Sequence, residues 1–249
     1  PTPTPTPTRS PTPLPAIVIS ELRTRGPNGA SDEFVEIYNN SDDPINVAAS
    51  DGSSGYAVAA SDGVARFTIP NGTIIPARGH YLAVGTAYSL SGYPAGNGST
   101  ATGNASFSLN IADNAGIALF KTSNPANFTL ANRLDAAGST SEANVNYKEG
   151  AGYPALVPFS IDYSFVRKIS AFTGEVQESN DNANVFLFVD TNGTRAGAGQ
   201  RLGAPGPENL SAPTSVGTAI SNSPLDPTHA GFGSPNVARD FTSDPPNKS

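Results

Sequence analysis

Glycine and proline interrupt this chain too often for long helices. The 249 residues include 25 glycines and 23 prolines, and both residue types are unfavourable inside helices. Between them lie short runs of β-branched and aromatic residues, about every 8 to 20 residues, bounded by turn-forming residues. None of these runs has an apolar stripe at helical spacing. The pattern therefore predicts an all-β domain, either a sandwich or a barrel.

Eleven runs are predicted to be strands. They cover residues 17–23, 34–39, 45–48, 55–59, 65–69, 81–85, 106–109, 116–121, 132–136, 165–168 and 185–190. Several connections between them are long and rich in small residues, as in 89–104 and 144–162. Such loops cost little stability, because loop-closure entropy grows slowly with loop length.

Composition excludes several classes of function. The net charge of −7 disfavours binding to nucleic acid or to anionic lipid. The longest apolar run, at 185–189, is far shorter than the roughly 18 residues that cross a bilayer, so no membrane insertion is expected. The absence of cysteine excludes disulfides, thiolate metal sites and a cysteine nucleophile. There is also no initiator methionine or apolar leader, as expected for a mature or trimmed chain.

Three regions differ in composition. Residues 1–15 are Pro-Thr repeats, which predict an extended polyproline II arm or linker. The strand-like pattern occupies 16–210 and predicts the folded domain. Residues 211–249 are punctuated by proline and form a predicted C-terminal extension.

A series of ordered motifs in 16–210 is similar to the lamin tail domain family. The most specific are Ile-Ser-Glu at 19–21, Glu-Phe-Val-Glu-Ile-Tyr-Asn at 33–39 and the following Asp-Pro-Ile-Asn-Val turn. Further similar segments are IPARGHYL at 75–82, IADNAGIALF at 111–120, RLDAAGS at 133–139, the 164–167 strand and GAPGPEN at 203–209. The resemblance implies an immunoglobulin-like β-sandwich, here with long loops and extended Pro-rich tails.

The resemblance also implies a class of function. Members of this family resemble one another as interaction modules without shared catalytic machinery, serving self-assembly, protein binding or surface attachment, often outside bacterial cells. One departure concerns the core: the chain has Ala-Ala-Ser at 48–50, where the family often has Gly-Trp, followed by an insert at 51–65. We expect Tyr56 or Phe67 to fill this part of the core.

Candidate catalytic residues are few. The two histidines, His80 and His229, lie in unrelated contexts, and no G-x-S-x-G elbow accompanies them. Glu21 and Glu36 lie on predicted neighbouring strands and could meet, whereas Glu33 and Glu36 should point to opposite faces. We expect these glutamates to contact arginine or backbone N–H groups, and we predict no enzyme activity and no cofactor.

A calcium loop is a weaker hypothesis. Residues 190–194, Asp-Thr-Asn-Gly-Thr, place oxygen ligands at alternate positions, and Asp181 and Asn182 are near in sequence. The segment lacks the distal glutamate of an EF-hand loop. A type I′ hairpin turn at Asn-Gly explains the segment better, so no metal site is predicted.

Eight Asn-x-Ser/Thr sequons make glycosylation a possibility. They begin at Asn39, Asn71, Asn97, Asn104, Asn127, Asn192, Asn209 and Asn247. In a host that does not glycosylate, the same sequons are simply asparagine-rich loops.

Two functional hypotheses follow. The first is an extracellular or cell-surface structural module that forms a homo-oligomer or polymer, such as a filament or surface layer, through sheet edges and an N-terminal contact arm. In this hypothesis Ile17, Val18, Ile19 and Leu22 would supply the pairing groups of the arm. The alternative is a carbohydrate- or protein-binding adhesion or spacer module of a larger surface protein. Exposed tyrosines would then stack on sugars, and the candidates are Tyr88, Tyr93, Tyr147 and Tyr153.

Overall fold

Two β-sheets face each other across one apolar core, which confirms the predicted sandwich. The computed structural model describes residues 15–92, 100–156, 160–169, 176–192 and 201–214. Its strands are β1 (Ile17–Arg23), β2 (Phe34–Asn39), β3 (Ile45–Asn46), β4 (Gly55–Ala60), β5 (Ala65–Pro70), β6 (Ile74–Ile75), β7 (His80–Gly85), β8 (Ala105–Phe107), β9 (Ile117–Phe120), β10 (Arg133–Ala137), β11 (Tyr163–Arg167), β12 (Phe186–Asp190) and β13 (Arg201–Leu202).

The larger sheet has seven strands in the order β13-β12-β11-β1-β2-β7-β8. The smaller sheet has the order β10-β9-β4-β5, and β3 and β6 form a separate two-stranded ribbon. All neighbours are antiparallel except the pairs β12–β13 and β7–β8. The short helix α1 (Asn182–Val185) and two 3-10 turns complete the described elements, and no helix in these parts of the chain has the length and apolar character needed to cross a membrane.

Every predicted strand overlaps an observed one, and the first two have the predicted bounds. The sequence did not reveal β6 and β13, because strands of two residues carry no alternation pattern and exist only through their partners. Val185 was expected to begin a strand. It instead ends α1, whose N-cap Asp181 accepts a hydrogen bond from the N–H of Ala183.

A β-bulge in β1 controls which side chains enter the core. The register between β1 and β2 shifts between Ile19 and Glu21, so Ser20 is the extra residue. Ile19 and Leu22 therefore both lie in the main core although they are three positions apart. Glu21 turns to the opposite, outer face of the sheet.

The position of β1 contradicts the predicted contact arm. β1 lies inside the seven-stranded sheet, paired with β2 on one side and β11 on the other. Ile17, Val18, Ile19 and Leu22 are at most 4% exposed. In the folded chain these four residues are core residues, and the prediction that they form a subunit-contact arm is wrong.

Of the two aromatic residues expected to fill the core after the Ala-Ala-Ser departure, Phe67 enters the main core. Phe67 is buried and stacks with Tyr81 and Phe107, at centroid separations of 6.4 and 6.0 Å. Tyr56 is half-buried at the border of the same core. Much of the segment read as an insert is β4 and its turn into β5.

A buried ion pair joins the two sheets where the β1–β11 ladder stops. The β1–β11 register includes Glu21 and Leu22 but not Ile19. The N–H of Ile19 donates to Asp135 of β10 at 2.6 Å, and the carbonyl of Ile19 accepts from Arg167 Nε at 2.7 Å. Arg167 in turn donates to both carboxylate oxygens of Asp135 at 2.7 Å. Side chains thus satisfy the backbone groups of Ile19 and connect the sheets.

Removing the charge of Asp135 should strongly destabilise the fold. We expect Asp135→Asn to lower the free energy of unfolding by about 3 to 5 kcal/mol, because buried Arg167 loses its main partner. Urea denaturation at pH 7 measures the change. The control is Asp113→Asn, which breaks the partly exposed pair with Arg25 and should cost under about 1 kcal/mol. Equal losses in the two variants would contradict this role for Asp135.

Candidate functional site

The outer face of the seven-stranded sheet is crossed by residues 203–210, which we call the strap. Residues 203–209 are all buried. The N–H of Gly206 donates to Glu21 at 3.3 Å, and the N–H of Glu208 donates to Glu36 at 2.6 Å. At its end, the N–H of Leu210 donates to the side-chain oxygen of Asn104 at 3.1 Å. The strap is held to this face largely by side-chain acceptors.

Beneath the strap lie four titratable residues, Glu21, Glu36, His80 and Glu208, which we call the histidine–glutamate cluster. Glu21 and Glu36 are directly opposite each other in the β1–β2 register. His80 begins β7 and lies between two carboxylates: Nδ1 is 3.3 Å from Glu36 and Nε2 is 3.2 Å from Glu208. These are ionic contacts without well-aligned hydrogen bonds. All four side chains are almost completely enclosed.

Three members of this cluster, Glu21, His80 and Glu208, have raised pKa values. Burial, reinforced by the charge of Glu36, raises the pKa of Glu21 to about 8. Burial also raises the pKa of Glu208 to about 8, although nearby His80 opposes the shift. For His80 burial alone would lower the pKa, but the carboxylates of Glu36 and Glu208 outweigh it and the pKa is raised. At neutral pH the cluster therefore retains protons that these glutamates would lose in water.

The prediction that Glu21 and Glu36 meet is confirmed, as are their bonds to backbone N–H groups. Both carboxylates are used to hold the strap, and the cluster is closed to solvent, which is unsuited to a bond-cleaving pair that must flank a substrate. Glu33 is not part of this cluster. Its carboxylate accepts a hydrogen bond from the N–H of Ile111 at 2.7 Å. The sequence did not identify Glu208 as a partner of His80, because nothing local relates two residues so far apart in the chain.

A second buried cluster contains three carboxylates, those of Asp135, Glu149 and Glu178. One oxygen from each lies within 4.8 Å of the others, a spacing that could hold a cation. Arg167 makes ion pairs with Asp135 and Glu178, and its guanidinium lies 4.7 Å from the Phe186 ring centroid. The third acid, Glu149, pairs with Arg133 at 3.1 Å, so each of the three carboxylates already has an arginine partner.

The calcium hypothesis gains no support from the positions of its ligands. Asp181 and Asn182 lie at the start of α1, before β12, whereas Asp190 lies at the far end of β12, a strand roughly 13 Å long. Asn182 is also buried and holds the N–H groups of Gly138 and Glu149. The predicted Asn-Gly turn continues into residues 193–200, outside the described residues, and the next described strand, β13, runs parallel to β12.

The structure separates the sequons into two groups. Asn39 and Asn209 are buried, and both side-chain amides donate to backbone carbonyls, so these two are wrong as glycosylation sites of the folded protein. The other described sequons remain predictions: Asn71, Asn104 and Asn192 are exposed and Asn127 is half-buried. Asn97 and Asn247 lie outside the described residues.

The three predicted sugar-stacking tyrosines that the structure describes do not form an exposed platform. Tyr147 and Tyr153 are 3% and 5% exposed and lie in the apolar clusters, so this assignment is corrected. Tyr88 is half-buried against Phe34 and donates to the carbonyl of Ala101 at 2.8 Å. Tyr93 lies outside the described residues, as does His229.

Comparison with known proteins gives one family match. The model of the family described as Lamin Tail Domain matches residues 10–137, which are 128 of the 249 residues. Among solved structures, a DUF4876 family protein from Bacteroides thetaiotaomicron is similar, with 14% identity over 70% of each chain and a TM-score of 0.47. No curated protein matches the chain.

Stability should fall as the pH rises from about 5 to 8.5. The folded-state pKa values of Glu21, Glu33 and Glu208 are about 8 and that of Glu149 is about 9, all above the unfolded value of 4.5. Their contribution is fully present below pH 4.5 and is lost as the pH rises through these folded values. We expect Tm to drop by at least about 5 °C between pH 5 and 8.5 in calorimetry. Glu149→Gln should reduce this slope, and a Tm that rises over the interval would contradict the prediction.

The exposure of the sequons predicts where sugar can attach. In folded protein secreted from a glycosylating eukaryotic host, peptide mapping by mass spectrometry should find glycans at Asn71 and Asn104 and none at Asn39 or Asn209. The physical reason is that a buried amide engaged with the backbone leaves no room for a sugar. Asn104→Gln, as the matched control, should remove one glycan mass. A glycan on Asn39 in secreted, folded protein would contradict the burial argument.

Proposed function

Because this chain belongs to the lamin tail domain family, we propose that it is a non-enzymatic structural module that works outside the cell by associating with copies of itself. The family membership and the β-sandwich support the coarser part of this statement, a non-enzymatic immunoglobulin-like module. Self-association and the extracellular location are the proposed parts. The Pro-Thr repeats and the exposed sequons support the location, since both are typical of surface proteins.

The observation that carries the proposal is that the buried polar side chains bind other parts of the fold. In the described part of the chain, the histidine–glutamate cluster holds the strap, and Arg167 with Asp135 joins the two sheets. Both sets are enclosed by the fold and have structural partners. Side chains that could perform chemistry are therefore committed to holding the sandwich together.

The edge of the smaller sheet offers a surface for association. Among the described residues, β5 pairs with β4 alone. The N–H of Asn71 donates to the carbonyl of Ser54, which makes Gly55 and Pro70 a non-hydrogen-bonded pair in this ladder. By alternation, the backbone N–H and C=O of Thr68 turn away from β4. Unpaired backbone groups at a sheet edge can add a strand from another chain.

The exposed edge of β5 is short, which suits reversible association. Pro70 lies at its end on the outward-facing side, where its missing N–H breaks no bond with β4. Arg66 also lies on this strand and pairs with Asp62, as charged residues often do at edges. We infer that β5 supplies one contact and that residues 1–15 supply another. The contact arm is therefore limited to residues 1–15, because the apolar residues of β1 lie in the core.

Light scattering after size-exclusion chromatography, combined with electron microscopy, tests the proposal. We expect the intact chain to form oligomers or filaments at tens of micromolar, and both removal of residues 1–15 and Thr68→Pro to weaken assembly at least tenfold. Thr68→Pro removes the outward N–H without touching the β4 ladder. Thr68→Val, which keeps that N–H, is the matched control. Monomeric particles for the intact chain would overturn self-association and leave a spacer or adhesion module.

A further inference from the structure

We propose that the strap is a proton-held latch, which stays closed over the seven-stranded sheet while the histidine–glutamate cluster keeps its protons and opens when they are lost. In this proposal the strap releases before the sandwich unfolds. The latch is independent of self-association, because it concerns contacts within one chain.

The number of charges in the cluster carries the argument. Two carboxylates, those of Glu36 and Glu208, contact the imidazole, and a third, that of Glu21, lies opposite Glu36, so the cluster would hold a net charge of −2 with every carboxylate ionised and His80 protonated. Such an excess is unfavourable where solvent is excluded. The cluster is therefore stable only while it retains additional protons. Each proton lost places a second or third negative charge beside the strap.

The groups that face the cluster cannot supply the missing positive charge. From β2 the Tyr38 ring lies 5.0 Å from the His80 ring, and from β1 the hydroxyl of Ser20 donates to Glu36 at 2.5 Å. From β11 the Ser164 hydroxyl faces Glu21 and favours its charged form, without a well-aligned hydrogen bond. Arg23 has a small favourable electrostatic effect on Glu21, but its guanidinium is paired with Asp32 and Asp162. Among the described residues, His80 is thus the one cationic side chain that forms ion pairs with the carboxylates of the cluster.

The strap is the element that responds to this charge. Its central N–H groups, on Gly206 and Glu208, donate to Glu21 and Glu36 themselves. Glu208 also brings one of the three carboxylates, so its ionisation pushes the strap away from Glu36. The described strap has no strand ladder after β13, whereas β1, β2 and β7 are bonded to strands on both sides. Repulsion in the cluster therefore acts on the most weakly held of its elements.

The direction of the switch follows from the protonation states. The pKa values of Glu21 and Glu208 in the closed state are about 8, above the ordinary value of 4.5, and the pKa of His80 is raised as well. All three groups therefore hold their protons more tightly when the strap is closed. Closure is favoured at low pH and is lost as the pH rises through about 8.

Alanine methyl NMR tests the latch in the full chain. Ala204 reports on the strap, where it is 5% exposed, and Ala57 and Ala118 report on the smaller sheet. Between pH 6 and 9.5 we expect the Ala204 methyl signal to move to an unfolded-like position with a midpoint near pH 8, while the Ala57 and Ala118 signals stay native. A native Ala204 signal at pH 9.5, or loss of all three signals together, would overturn the proposal.

Two substitutions and a control identify the cluster as the cause. Glu208→Gln removes one titratable group at nearly constant shape, and it should raise the opening midpoint by at least one pH unit. His80→Gln removes the positive charge and should lower the midpoint by a similar amount, which keeps the test decisive if Glu208→Gln does not fold. Glu149→Gln, a buried glutamate away from the strap, should leave the midpoint unchanged. A midpoint that is the same in all four proteins would also overturn the latch.

Discussion

The fold depends on the ion pair between Arg167 and Asp135, because it occupies the gap between the two sheets where the backbone ladder is interrupted. Arg167 donates to Asp135 and to the carbonyl of Ile19, and Asp135 accepts the N–H of Ile19. A buried charge pair is stable only with good geometry and with its remaining hydrogen bonds made. Both conditions are met here, so the position of β10 relative to β1 is tightly specified.

In both buried polar clusters a cation lies among carboxylates and connects separate segments of the chain, but the cation differs. Around Arg167 the charge is permanent, because a guanidinium does not lose its proton at accessible pH. Under the strap the cation is His80, whose charge depends on its surroundings. The inter-sheet connection is therefore insensitive to deprotonation of its cation, whereas attachment of the strap is sensitive to pH. The sandwich and the segment that covers it can thus respond differently to the same conditions.

Much of the strand pattern could be predicted because turn residues and alternation are local signals. The pairing of Glu21 with Glu36 was also predictable, since it follows from two adjacent strands with recognisable motifs. The contact of His80 with Glu208 was not, because it requires the C-terminal strap to return across the sheet. The mistaken contact arm at Ile17 has the same origin: an apolar alternating run looks identical whether it pairs within its own chain or with another.

The sequence by itself determined the all-β class, the approximate positions of many turns and the family, because these depend on spacing between residues that are close in the chain. Only the tertiary structure decided which polar residues are enclosed, which asparagines are accessible and which sheet edge is uncovered. Burial is a property of contacts between distant segments, and a bulge of one residue at Ser20 changes which side chains enter the core. Because Glu21, Glu36 and His80 are enclosed, the balance of their charges affects the stability of the fold.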